Sequence, residues 1–126
     1  MSAYKTVVLG ATTNPQRYAY RAVNHLLSKN IEVVPVGIRK GLTAGGLPIQ
    51  NGQPKVEDVH TITLYINREV QKDYYNYILE LQPERVIFNP GTENPELYSL
   101  LKEKAPGTQI EIACTLVMLA AGNYKE

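Results

Sequence analysis

The residues with the clearest chemical potential are Gly10-Ala11-Thr12-Thr13-Asn14-Pro15 and, two positions on, Arg17. A glycine at the end of an apolar run lets the chain turn sharply and lets a ligand come close to the backbone. The hydroxyls of Thr12 and Thr13 can donate to phosphate oxygens. Asn14-Pro15 reads as a helix start, with asparagine as N-cap and proline at the first helical position. The first N–H groups of a helix have no partner inside it, and the helix dipole favours an anion there. Arg17 adds a charged donor in the first turn. These residues suit a phosphate. They would also make an ordinary capped strand-to-helix turn, so the rest of the chain has to decide.

A second basic element, Arg39-Lys40, follows Val36-Gly37-Ile38. The first loop has only one glycine, so it is not the Gly-x-Gly-x-x-Gly fingerprint of dinucleotide binding. Folds that carry that fingerprint for NAD place an acidic residue at the end of the second strand, on the ribose hydroxyl. Two cations suit a phosphorylated ribose instead, such as the 3′-phosphate of coenzyme A or the 2′-phosphate of NADP. Solvated loop charges are the plainer alternative.

These loops need strands and helices to hold them. Val7-Val8-Leu9 is a short uniform apolar run, as expected of a parallel strand covered on both faces. Ala19, Ala22, Val23, Leu26 and Leu27 recur at helical spacing, and Asn30 is a stop. Residues 31–36 form a second strand. Pro35 is tolerable near its end but not in the middle of a ladder. A glycine-rich connection covers 37–54, with a short strand or turn around 47–49. Residues 61–66 are a third strand. Val70, Tyr74, Tyr77, Ile78 and Leu81 mark a helix closed by Pro83. Residues 85–88 are a fourth strand. Asn94-Pro95 opens a helix with Leu97, Leu100 and Leu101 inside. Residues 109–112 are a fifth strand, and 115–121 a closing helix.

Strands that alternate with helices imply a parallel sheet. The expectation is an α/β fold: a doubly wound, five-stranded, Rossmann-like sheet of order 3-2-1-4-5, flanked by helices, in one domain over 1–126. The loops after strands one and four would then flank the reversal of strand order, where ligands bind in such folds.

The stretch Val8-Leu9-Gly10-Ala11-Thr12-Thr13-Asn14-Pro15-Gln16-Arg17, with Leu26-Leu27 and Val33-Val34-Pro35-Val36, resembles the small single-domain CoA-binding proteins. These are similar to the N-terminal domain of the succinyl-CoA synthetase alpha subunit. Their opening pattern is Gly-Ala-Ser-x-x-Pro-x-Arg, then a strand ending Val-x-Pro-Val-Asn-Pro. Gly10, Ala11, Pro15 and Arg17 match, Thr12 takes the serine position, and Val34-Pro35-Val36 matches. Gly37-Ile38 departs from Asn-Pro. Asn67-Arg68 falls near a family Phe-Arg, Asn89-Pro90-Gly91 replaces a more usual Gln-x-Gly, and Cys114 falls where the family often has cysteine.

The resemblance implies coenzyme A or an acyl-CoA as ligand and no catalytic residues. Its phosphates would lie against Gly10, Ala11, Thr12, Thr13, Pro15 and Arg17. Val36, Gly37, Arg39 and Lys40 would lie near the adenosine. Asn67, Arg68, Asn89, Pro90, Gly91 and Thr92 would close the other side. The rival readings are a small NADP-dependent oxidoreductase-like domain, and a non-binding interaction module that retains the fold.

Other features carry less. The formal net charge of +1 gives no broad footprint for nucleic acid. No run is long enough to span a membrane, and residues 1–5 lead into a strand without the apolar stretch of a signal peptide, so a cytoplasmic location is expected. One cysteine, Cys114, allows no intramolecular disulfide; it reads as a small buried hydrophobe. His25, His60 and Cys114 are too scattered for a metal site. Tyr98-x-x-x-Lys102 has the spacing of a dehydrogenase pair without the strand that should precede it, and reads as helix surface. Tyr74, Tyr75 and Tyr77 cannot all share one helix face. The outward ones could meet a second copy of the chain, making a homodimer a candidate assembly.

Overall fold

A computed structural model describes residues 3–125. Met1, Ser2 and Glu126, at the ends of the expected 1–126 domain, lie outside the described residues.

Five four-residue strands, β1 (Thr6–Leu9), β2 (Val33–Val36), β3 (Thr61–Leu64), β4 (Arg85–Phe88) and β5 (Gln109–Ile112), form one sheet. Every pairing is parallel. Every residue of β1 to β4 is buried, while β5 is partly exposed. This burial on both faces is why the strands read as uniform runs rather than alternating ones.

The helices are α1 (Tyr18–Ser28), α2 (Arg68–Gln71), α3 (Tyr75–Leu81), α4 (Pro95–Lys104) and α5 (Thr115–Ala121). Alternate strand residues feed two cores. Val7, Leu9, Ile62, Leu64, Val86 and Phe88 pack with Tyr77, Ile78 and Leu81 of α3 and Leu97 and Leu101 of α4. Val8 and Ile87 pack with Ala19, Val23 and Leu26 of α1 and Met118 and Leu119 of α5. The sheet is thus covered by α1 and α5 on one face and by α3 and α4 on the other.

The doubly wound parallel sheet is as expected, but the strand order is 2-1-3-4-5 and not 3-2-1-4-5. β3 pairs with β1, which leaves β2 at the edge. Pro35 gives the physical reason. The Val36 carbonyl accepts from the Gly10 and Ala11 N–H groups on the β1 side, at 2.8 and 2.9 Å. The neighbouring Pro35 faces outward, where its carbonyl accepts from Gln50 N–H at 2.9 Å. A proline has no N–H for a partner on that side, so a full strand there would lose a ladder bond. Among the described residues, only an isolated bridge, Val36 to Gln50, forms along that edge. The reversal of strand order therefore lies between β1 and β3.

Some local boundaries also differ. Asn14 does not cap α1, which starts at Tyr18 with Arg17 in the cap position. The Asn14 side chain instead accepts from Gln16 N–H at 2.9 Å, closing a turn ahead of the helix. Asn94-Pro95 is a true helix start, with the Asn94 side chain accepting from Leu97 N–H at 3.3 Å. The 37–60 connection holds a 3-10 turn at Ala44–Gly46 and a bridge from Leu42 to Pro48. Tyr98 is not a surface residue: its ring stands edge-on to Phe88 at 4.7 Å and its hydroxyl is buried. Cys114 is partly exposed rather than buried, at the start of α5. Among the described residues, no helix is long and apolar enough to cross a membrane, and no cluster of three histidine, cysteine or carboxylate groups could hold a metal.

Candidate functional site

The loops after β1, β3 and β4 meet over the reversal point. Gly10 turns the chain at φ +106, a conformation that side chains rarely adopt. A Cβ on Gly10 would stand 2.9 Å from the Tyr65 carbonyl carbon, so the loop after β1 presses directly on the chain after β3. Tyr65 N–H donates to the Leu9 carbonyl at 2.8 Å in the same place. Glycine is also required at 37, where a Cβ would fall 2.5 Å from the Ala11 carbonyl oxygen. Ala11, Val36 and Gly37 therefore form a backbone knot that binds the first loop to the end of β2.

Beyond the knot, the loop opens. The Thr12 hydroxyl oxygen accepts from Asn14 N–H at 3.2 Å. That leaves its proton available to an incoming anion. The long connection returns to this point, because a Cβ on Gly41 would meet the Thr13 methyl at 2.8 Å. The Asn51 side-chain amide donates to the carbonyls of Gly37 and Arg39, at 2.8 and 3.1 Å. This fixes the segment that brings Arg39 to the site.

The result is a crevice of about 500 Å³, lined by Gly10, Thr12, Thr13, Asn14, Arg17, Tyr18, Ala19, Arg39, Tyr65, Asn67, Pro90, Gly91 and Thr92. Its size falls in the range of small-molecule sites. Two guanidinium groups line it and no carboxylate does. A larger groove of about 840 Å³ lies near the start of β1. It carries Lys5 and Lys55 beside Glu57, Asp58 and Glu80, so it lacks a field of one sign.

Nine of the expected residues meet in the crevice: Gly10, Thr12, Thr13, Arg17, Arg39, Asn67, Pro90, Gly91 and Thr92. Ala11, Val36 and Gly37 lie behind it in the backbone knot. Pro15 borders a separate groove between α1 and α5. Lys40 and Arg68 are exposed and do not line the crevice.

Asn89 is buried and acts as a brace. Its amide donates to the Thr63 hydroxyl and the Leu64 carbonyl, at 2.7 and 2.8 Å, and its side-chain oxygen accepts from Thr115 N–H at 2.8 Å. One side chain thus ties β3, β4 and the start of α5. Asn67 caps α2 by accepting from Val70 N–H at 3.0 Å, and the Glu93 carboxylate takes the Gly91 N–H at 2.9 Å.

Sequence reasoning missed Asn14, Tyr18, Ala19 and Tyr65 as lining residues, and Gln71 as a support. Gln71 is fully buried and bridges the loops after β3 and β4: its amide donates to the carbonyls of Ile66 and Thr92, at 2.9 and 2.8 Å. Its oxygen accepts from the Asn94 amide at 2.9 Å. A glutamine in an unremarkable helical segment carries no local signal of this. Tyr65 falls inside the expected third strand, 61–66, whereas the observed strand ends at Leu64 and Tyr65 opens the loop that lines the crevice.

The Tyr65 hydroxyl is buried without a hydrogen-bond partner of ordinary geometry. Burial pushes it up to about 12, opposed in part by the neighbouring Thr115 and Thr63 hydroxyls. It is therefore a neutral donor at neutral pH. Removing a buried unpaired hydroxyl relieves a desolvation penalty, so Tyr65→Phe is expected to stabilise the free protein by about 1 kcal/mol. The check is thermal unfolding: a rise of about 3 °C is expected, and a fall of similar size would show that the hydroxyl is bonded.

Solved structures share this fold. One, a crystal structure of an uncharacterized protein, is 52% identical, with a TM-score of 0.91 over 96% of this chain and 98% of its own. A Thermus thermophilus protein, cell-free ID.343, is 22% identical with a TM-score of 0.78, over 96% of this chain and 91% of its own. A hypothetical protein from Pyrococcus horikoshii OT3 is 19% identical with a TM-score of 0.77, over 93% of this chain and 82% of its own. The last two speak for the fold alone. No curated protein matches the sequence. The CoA binding domain family matches residues 4–120, nearly the whole chain, and to that family this chain belongs.

Proposed function

We propose that the crevice binds coenzyme A or an acyl-CoA and performs no reaction of its own. The observation that carries this is the pairing of Arg17 and Arg39 with the hydroxyls of Thr12 and Thr13, in a crevice with no lining carboxylate. A diphosphate fits the Gly10–Thr13 turn and Arg17 through charge-assisted hydrogen bonds. The 3′-phosphate fits Arg39, with Lys40 next in the chain as an exposed charge that adds to the local field. Asn67 and the loop from Pro90 to Thr92 flank the remainder of the ligand. Binding without turnover is favoured because no histidine or carboxylate is among the residues that line the crevice to move a proton.

The test is a thermal-shift titration with CoA, acetyl-CoA, 3′-dephospho-CoA, NAD and NADP. A ligand that binds only the native state raises the melting temperature with concentration; at a hundred times Kd the gain is about 2.7 kcal/mol. A shift with CoA that shrinks with 3′-dephospho-CoA is the expected result. No shift with CoA or acetyl-CoA would overturn the reading, leaving a module that kept the fold without the ligand.

A further inference from the structure

The groups assigned to phosphate leave the ligand's base without a partner, and one residue of the crevice is suited to it. Tyr18 is the first residue of α1 and directly follows Arg17. It lines the crevice and is nevertheless 66% exposed. Arg21, three residues on, lies over its ring at 5.7 Å from the centroid. Residues three apart are neighbours on a helix face, and a guanidinium over an aromatic ring is attracted to it and steadies it. The other aromatic lining residue, Tyr65, is sunk into the sheet with its hydroxyl buried.

Base–aromatic stacking tolerates any base, because every base has a π-face, and it needs such an exposed, steadied ring beside cationic groups. We propose that Tyr18 is the stacking platform for the purine base of the ligand, and so a residue that sets ligand specificity. The inference rests on the coenzyme A reading above. It adds a base contact to a site that otherwise recognises only phosphate, and it separates nucleotide ligands from simple phosphorylated compounds.

The test compares wild type, Tyr18→Ala and Tyr18→Phe by calorimetric titration with CoA and with adenosine 3′,5′-bisphosphate, which has the base and phosphates but no pantetheine arm. Tyr18→Ala is expected to weaken both ligands by about tenfold, and Tyr18→Phe to hold both within about twofold of wild type, because the ring is kept. Wild-type affinity for both ligands in the alanine variant would overturn the proposal. So would a loss confined to CoA, which would put the ring on the pantetheine arm. A wild-type protein that binds neither ligand would instead overturn the coenzyme A reading, and the stacking role with it. The exposure of Tyr18 makes an unchanged melting temperature in the unliganded variants the expected control.

Discussion

Asn89→Ala is expected to lower the melting temperature by about 10 °C without changing the fold class. Alanine deletes two donors and one acceptor in a fully enclosed place. The Thr63 hydroxyl keeps a partner in the Thr115 hydroxyl at 2.7 Å. The Leu64 carbonyl loses its side-chain partner, and Thr115 N–H at the start of α5 is left with none from Asn89. Each buried orphan costs about 1–3 kcal/mol, so a loss of roughly 3 kcal/mol is expected. For a chain of this size that corresponds to about 3–4 °C per kcal/mol. Differential scanning calorimetry measures it. A drop below about 3 °C would mean that the three elements are held together by packing alone, and that Asn89 is free to serve a ligand. The Pro90–Thr92 loop hangs from the Asn89 backbone carbonyl through Thr92 N–H and hydroxyl bonds of 2.9 and 2.8 Å, which the alanine variant keeps, so CoA binding is expected to change much less than stability.

Arg17→Ala and Arg39→Ala are expected to weaken CoA binding in different ways. On the proposed assignment each removes one charge-assisted contact to phosphate, worth about 1.5–3 kcal/mol, or about 10- to 100-fold in Kd. Arg17 lines the crevice with the turn assigned to the diphosphate, so its loss is expected to weaken CoA and 3′-dephospho-CoA alike. Arg39 is assigned to the 3′-phosphate, so its loss is expected to weaken CoA and leave 3′-dephospho-CoA unchanged. Crossing the Arg39 variant with the two ligands forms a double-mutant cycle whose coupling term isolates that one contact. Equal weakening of both ligands by Arg39→Ala would place the guanidinium on the diphosphate instead. Unchanged affinity in both variants would remove the site from this crevice. Both side chains line the crevice surface, and neither variant leaves a buried group unpaired, so stability without ligand is expected to hold.

The contrast between Asn89 and Arg39 shows where sequence reading stops. Both stand in loops after strands, and both read as ligand contacts. Only three-dimensional packing separates them: Asn89 lies under the crevice floor with its hydrogen-bonding capacity spent on the protein, while Arg39 lines the opening. Ala11, Val36 and Gly37 follow the same logic. Their match to a family pattern reflects a backbone contact so close that a Cβ on Gly37 would stand 2.5 Å from Ala11 oxygen. A motif can therefore be required by backbone packing without lining the crevice. Tyr18 shows the reverse. Its position beside the apolar stripe of α1 gave no sign of a lining role, because exposure depends on which loops come to stand in front of the helix.

From the sequence alone followed the five strands, the helices between them and the parallel sheet. These depend on period, turn chemistry and burial of short apolar runs, which are properties of neighbours along the chain. Pro35 is a local sign of an edge, since it has no N–H, yet the expected order 3-2-1-4-5 set β2 inside the sheet and only the structure puts it at the edge. Tertiary structure alone decided that β3 lies beside β1, that Arg17 and Arg39 share one crevice while Lys40 and Arg68 do not, and that Asn89 and Gln71 are braces. The bracing rests on hydrogen bonds between residues 21 to 26 positions apart, and β3 lies beside β1 through pairings more distant still, such as Leu9 with Leu64; the cost of leaving such groups buried and unpaired is recorded by no local pattern.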